Sequence, residues 1–130
     1  MKLSKLSLLS ILGVVFWLSA ALFVRFAGEK IFSENNSNLI ILFLLSFPIS
    51  YGLIFITQKV ANLKQSELLQ AVSLMTFVAA FLDGTAMLWF KQLYGTTFET
   101  CFYGAAWILW GAACGLFLGY LLDRPEQKTA

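Results

Sequence analysis

The sequence predicts an all-α integral membrane protein: a single membrane domain over residues 1–130, folded as a four-helix bundle with antiparallel up-and-down topology and both termini in the cytoplasm. Three observations predict it. Hydrophobic residues make up 59% of the 130 and charged residues only 12%, a balance that a soluble domain of this length seldom shows. The apolar residues gather into four blocks of about 20, the length a helix needs to cross about 30 Å of hydrocarbon. Short polar stretches separate the blocks and leave little chain for an extramembrane domain, so any site belongs among the helices or on the loops.

The first block, 6–27, follows Lys2 and Lys5. A basic start before an apolar run also opens a secretory signal, and Leu18-Ser19-Ala20-Ala21 could serve as its cleavage site. The apolar run continues through Leu22, Phe23 and Val24, which favours an uncleaved first helix. Gly28 to Asn38 reads as a loop, with Glu29, Lys30 and Glu34 before the run Asn35-Asn36-Ser37-Asn38. The second block, 39–57, holds Pro48 near its centre, where a missing N–H and a ring clash predict a kink. A short linker containing Lys59, Lys64 and Glu67 leads to the third block, 68–90, and predicts that these two helices are antiparallel neighbours. Lys91 to Thr100 is a second short connection, turning at Gly95-Thr96-Thr97, with Trp89 and Tyr94 suited to a membrane interface. The fourth block, 101–122, stops at Asp123-Arg124-Pro125, and the polar tail to Ala130 is expected to be mobile.

Orientation follows from the basic residues. Lys2, Lys5, Lys59, Lys64, Arg124 and Lys128 fall on the side of the termini, against Arg25, Lys30 and Lys91 on the other, which predicts both termini inside. The net charge of +2 includes no basic run that could neutralise consecutive phosphates, so nucleic acid is not an expected partner. With no His and two Cys, the chain has no ligand set for haem, zinc or an iron–sulfur cluster, and no cofactor or metal is expected. Cys101 and Cys114 stand on one span about 20 Å apart by the helical rise, too far to pair with each other. Packing is the expected role of both.

Asp83 is the most informative residue. A carboxylate near the middle of a bilayer costs about 2.5 to 3.5 kcal/mol on insertion scales, so it calls for a partner, a proton or a cavity. It stands seven residues from Phe90, about 10 Å along the helix. Arg25, near the outer end of the first span, is of similar depth, and the two are expected to pair across the first and third helices. Ser73, Thr76, Ala80, Asp83 and Met87 fall at helical spacing and make one face of the third helix small or polar, hence inward. Gly84 beside them permits close approach of a backbone or a ligand.

On the fourth span, Gly111, Gly115 and Gly119 recur every four residues, with Gly104 seven before, forming a smooth strip for helix packing. Trp107 and Trp110, with Tyr103 above them, read either as interface anchors or as a wall for an aromatic or isoprenoid-like ligand.

The stretch Phe81-Leu82-Asp83-Gly84-Thr85-Ala86-Met87-Leu88-Trp89-Phe90, together with Tyr103-Gly104-Ala105-Ala106-Trp107-Ile108-Leu109-Trp110-Gly111, resembles a family of small four-helix bacterial membrane proteins known only as a domain of unknown function. The resemblance covers roughly the second half of the chain and implies architecture without an activity. The small multidrug exporters share helix number and length, but they carry a Glu in the first helix that this chain lacks.

No nucleophile with a base, paired carboxylates or phosphate loop stands out, so the expected function is non-enzymatic. The leading expectation is an accessory or structural protein of the bacterial cytoplasmic membrane, binding lipid, partner helices or a second copy of itself. The alternative is a small oligomeric transporter or channel that uses Asp83 as an ion or proton site.

Overall fold

The computed structural model describes residues 2–125, which form four helices and, among the described residues, no strand. The helices are α1 (Leu3–Ala27), α2 (Ser37–Ala61), α3 (Leu68–Trp89) and α4 (Phe98–Leu122), linked by 3₁₀ turns at Gly28–Lys30, Gln65–Glu67 and Lys91–Leu93. All four are long and apolar enough to cross a membrane. The polar tail and Lys128 lie outside the described residues.

The helices outrun the apolar blocks because polar residues finish their ends. Asn36 caps α2 by accepting from the Asn38 amide at 2.9 Å, and its Nδ2 donates to the Lys30 carbonyl at 2.9 Å, folding the preceding loop onto the cap. At the other end of α2, Asn62 adopts the left-handed conformation that closes a helix, and the Leu63 amide returns to the Gln58 carbonyl at 3.0 Å. Thr97 caps α4 by accepting from the Thr100 amide at 3.2 Å, which starts the helix before Cys101. The turn before it needs Gly95, whose φ is 152° and where a Cβ would come within 2.8 Å of the Thr100 methyl. α2 continues unbroken through Pro48, whose ring is exposed on the outer face.

Large apolar side chains stand bare on every helix, among them Phe26, Leu44, Phe55, Phe81, Leu109 and Phe117. A helix that is apolar all round has no face to present to water. Its outer surface is matched to hydrocarbon, and the buried cores are correspondingly small.

There are two such cores, one at each end. Leu9, Ile54, Ala61, Leu63, Leu68, Ala71 and Val72 form the first, with Leu118 and Leu122 packed against it. Ala21, Val24, Phe32, Leu39, Leu42, Ala86 and Tyr94 form the second. The start of α1 therefore lies with the end of α2, the start of α3 and the end of α4. Polar bonds stitch the same end: Lys5 pairs with Glu67 at 3.0 Å, the Leu69 amide donates to Asp123 Oδ1 at 3.0 Å, and Gln65 Nε2 donates to the Leu122 carbonyl at 3.0 Å. Orphan groups at the start of α3 and the end of α4 thus satisfy each other's neighbourhoods. At the opposite end the Glu34 amide donates to Glu99 Oε1 at 2.8 Å.

Side-by-side packing departs from the expectation drawn from the short linker. α3 packs along α1 and α4 and scarcely touches α2, while α2 packs along α4. A short connection brings two helix ends together but does not make the helices lateral neighbours. Here Gly13 lets α1 take that place: a Cβ on it would lie 3.2 Å from the Met75 carbonyl oxygen and 3.3 Å from its Cα, so the backbones of α1 and α3 meet directly. The result is two pairs, α1/α3 and α2/α4, joined along α3 and α4, with α1 and α2 making few contacts between them.

Candidate functional site

Between the two pairs lies a cleft of about 470 Å³, lined by residues of all four helices. Its walls are mainly apolar: Phe16 and Ala20 from α1, Ile49 and Leu53 from α2, Met75 and Ala79 from α3, and Ile108 and Ala112 from α4. The volume falls within the range of about 300 to 1,000 Å³ usual for small-molecule sites. Among the described residues, Asp83 is the one charged residue in the lining.

Asp83 is half-buried and is held from behind. The Tyr94 hydroxyl donates to its Oδ1 at 2.5 Å, and Trp17 Nε1 donates to the Tyr94 oxygen at 3.0 Å. Tyr94 itself is fully buried. It reaches Asp83 because the 3₁₀ turn Lys91–Leu93 folds the chain back after α3, with the Tyr94 amide returning to the Lys91 carbonyl at 3.1 Å. Its phenol lies well above the usual tyrosine range, first because burial penalises the phenolate and next because it donates to Asp83. Tyr94 thus remains a donor, and the chain of bonds from Trp17 through Tyr94 to Asp83 runs in one direction.

The expected pairing of Arg25 with Asp83 does not form. Arg25 is exposed, and its Nη1 donates to the Gln92 carbonyl at 2.8 Å. The reason is local. The connection after α3 places the Gln92 carbonyl beside the end of α1, within reach of the guanidinium, while Tyr94 takes the position against the carboxylate. Of the polar stripe on α3, Thr76 lines the cleft with Asp83, whereas Ser73 is half-buried and outside the lining.

The glycine strip on α4 divides in two. A Cβ on Gly104 would collide with Val24 Cγ1, and one on Gly119 would lie 3.2 Å from Val72 Cβ, so both are points of close helix approach. Gly111 meets nothing within 4 Å, and Gly115 lies in ordinary contact range, 3.9 Å from Val72 Cγ1; both line the cleft. Packing was expected at all four, and the gap between the helix pairs explains why Gly111 does not provide it.

Trp107 and Trp110 fasten α4 to α2. Trp107 Nε1 donates to Ser46 Oγ at 3.0 Å, and Trp110 Nε1 donates to the Phe43 carbonyl at 2.8 Å. Trp110 also stacks on Phe43, with ring centroids 5.4 Å apart. Trp107 lines the cleft as well and packs against Phe23 and Phe32 at 5.4 and 5.7 Å. Cys101 and Cys114 are free thiols; Cys114 is buried, and Cys101 faces the Lys91 carbonyl at 3.6 Å.

Sequence reasoning missed Trp17, Tyr94 as the carboxylate's partner, and the hydroxyls of α2. Ser46, Ser50 and Thr57 are all buried and all line the cleft. Their spacing of four and seven was a usable signal, since it places them on one helical face. Ser46 and Thr57 donate to the carbonyls of Leu42 and Leu53 four residues back, so these two hydroxyl hydrogens are turned into their own helix.

Fold and site together define a class: an all-α chain of four helices, each long and apolar enough to cross a membrane, with a single carboxylate in an apolar cleft. Within that class the chain belongs to a family of unknown function, DUF5367, whose model matches residues 31–126. The match takes in α2, α3 and α4, including Asp83, Tyr94 and Trp107, and begins after α1. No curated protein and no solved structure matches the chain.

Proposed function

We propose that this chain is a non-enzymatic integral membrane protein, a single domain of the bacterial cytoplasmic membrane, which holds an apolar molecule from the bilayer in the cleft between its two helix pairs. The observation that carries this reading is the cleft itself, about 470 Å³ with mainly apolar walls contributed by all four helices. The bare apolar surface supports membrane insertion, since a monomeric soluble protein seldom exposes contiguous apolar patches beyond a few hundred Å². The shared end cores support an up-and-down arrangement with both termini on one side, and the basic residues favour the cytoplasm for that side. Partner helices, including a second copy, are candidates to cover the outer faces; the sequence has no basic run to favour nucleic acid.

Photocrosslinking tests the reading. A phospholipid with a photoreactive acyl chain, incorporated with the purified protein in nanodiscs, is expected to label Met75, Ala79 or Ile108 in the cleft. Filling the cleft with Gly111→Leu is expected to remove that labelling and spare the outer faces. Labelling confined to the outer faces in the unaltered protein would remove the reading.

The place of Asp83 in the cleft wall favours a second reading, a small oligomeric transporter working around that acid. It predicts a homodimer in mild detergent and substrate flux abolished by Asp83→Asn.

A further inference from the structure

We propose that the cleft takes a lipophilic organic cation, a bulky hydrophobic ammonium or phosphonium species, with Asp83 as its counter-ion. This deepens the proposed function and rests on the cleft being open to an apolar molecule. Three observations select the ligand class. Among the described residues the lining holds one acid, Asp83, and no Lys or Arg, so a cation finds a counter-charge there and an anion finds none. Among the described residues the carboxylate has no cationic partner: Arg25 is engaged by the Gln92 carbonyl, and Asp83 is held by the neutral hydroxyl of Tyr94. Aromatic rings accompany it in the same lining, namely Phe16, Trp17 and Trp107, and their faces favour a cation over a neutral body of equal size.

The remaining polar groups favour an anionic headgroup little. Of the lining hydroxyls, Ser46 and Thr57 spend their hydrogens on Leu42 and Leu53, which leaves Ser50 and Thr76 as neutral donors and no cation beside them. A small hydrated metal ion is equally ill served, because one carboxylate among apolar walls cannot replace its six or more oxygens. A large cation whose charge is shielded by hydrocarbon sheds little hydration and fits both the wall chemistry and the volume. Tyr94 and Trp17 act as positioning residues, fixing Oδ1 and thereby the side chain's direction.

The test compares two ions of nearly the same size and shape and opposite charge, tetraphenylphosphonium and tetraphenylborate, titrated into the full-length protein in nanodiscs of uncharged lipid. Saturable binding of the phosphonium is expected, with none of the borate above empty nanodiscs. Asp83→Asn is expected to weaken phosphonium binding by about tenfold or more, the least that losing a desolvated charge partner should cost. Gly111→Leu, which keeps the charge and fills the cleft, is expected to abolish binding. Should Asp83→Asn fail to fold, the phosphonium and borate comparison on the unaltered chain together with Gly111→Leu decides the matter. Equal binding of the two ions, or phosphonium binding indifferent to Asp83→Asn or to Gly111→Leu, overturns the proposal. If the photoreactive lipid labels the cleft while the ions fail this pattern, only the cation proposal falls; if neither enters, the cleft reading falls with it.

Discussion

Removing the Tyr94 hydroxyl strands two polar atoms at once, the Asp83 Oδ1 that accepts from it and the Trp17 Nε1 that donates to it. Tyr94→Phe keeps the ring in its buried place, so the loss is one of hydrogen bonding and not of packing. A destabilisation of about 2 kcal/mol is expected, the usual cost of leaving buried polar groups unmatched, and thermal denaturation in detergent would measure it. The same residue carries a pH dependence. Its folded-state pKa is raised, so the folded protein holds the phenolic proton more tightly than the unfolded chain. The associated stability is complete below the ordinary phenol value of 10.0 and is lost as pH climbs above it toward the folded value. The stability gap between the unaltered protein and Tyr94→Phe should therefore narrow as pH rises above the ordinary phenol value of 10.0, as read from paired melts on either side of it. Asp83 was legible as a residue needing company, because hydrocarbon offers a carboxylate none. The identity of the company was not. Arg25 matched Asp83 in depth, but depth along a helix says nothing about azimuth, nor about a connection folding back over the helix end.

At the level of the helices, substitutions should sort the four α4 glycines into two kinds. Gly104→Leu drives a side chain into Val24 and should cost about 3 kcal/mol or more, an overpacking that rigid helix backbones cannot relieve. Gly111→Leu meets open space and should leave the melting temperature nearly unchanged. Asp123→Ala removes the side-chain acceptor from the Leu69 amide at the start of α3 and should cost about 1 kcal/mol, as losses of helix caps do. Asp123→Asn retains an acceptor oxygen and should recover most of that stability, which distinguishes the cap from a general effect of charge. The four helices lie within a few residues of the four apolar blocks, since hydrophobic length is what the sequence displays. Their polar extensions at 58–61 and 98–100 were not legible there, because caps such as Asn62 and Thr97 act through backbone geometry that composition does not display. Nor did the short linker disclose which helices lie side by side. Gly13, where α1 and α3 approach closely against Met75, is unremarkable in the sequence.

For the molecule as a whole, the orientation proposed above rests on a narrow margin of basic residues. Lys59→Gln with Lys64→Gln would reduce the count on the proposed inner side from six to four against three on the other, and a mixed population of orientations is expected from reporter fusions at both termini. The two-pair architecture was out of reach of sequence reasoning, because stripes such as Thr76 and Asp83 on α3 and the glycines of α4 mark an inward face without saying which neighbour it meets. The tied ends have a further consequence. Polar bonds join the α1 start, the loop after α2 and the α4 end at one extremity, and the α1–α2 loop to α4 at the other, while α1 and α2 touch sparingly between them. Entry by way of the caps would mean breaking those ties, whereas entry sideways would not. A guest arriving sideways must first dissolve in the bilayer, so its apparent potency in cells should follow its oil–water partition coefficient more closely than its aqueous concentration.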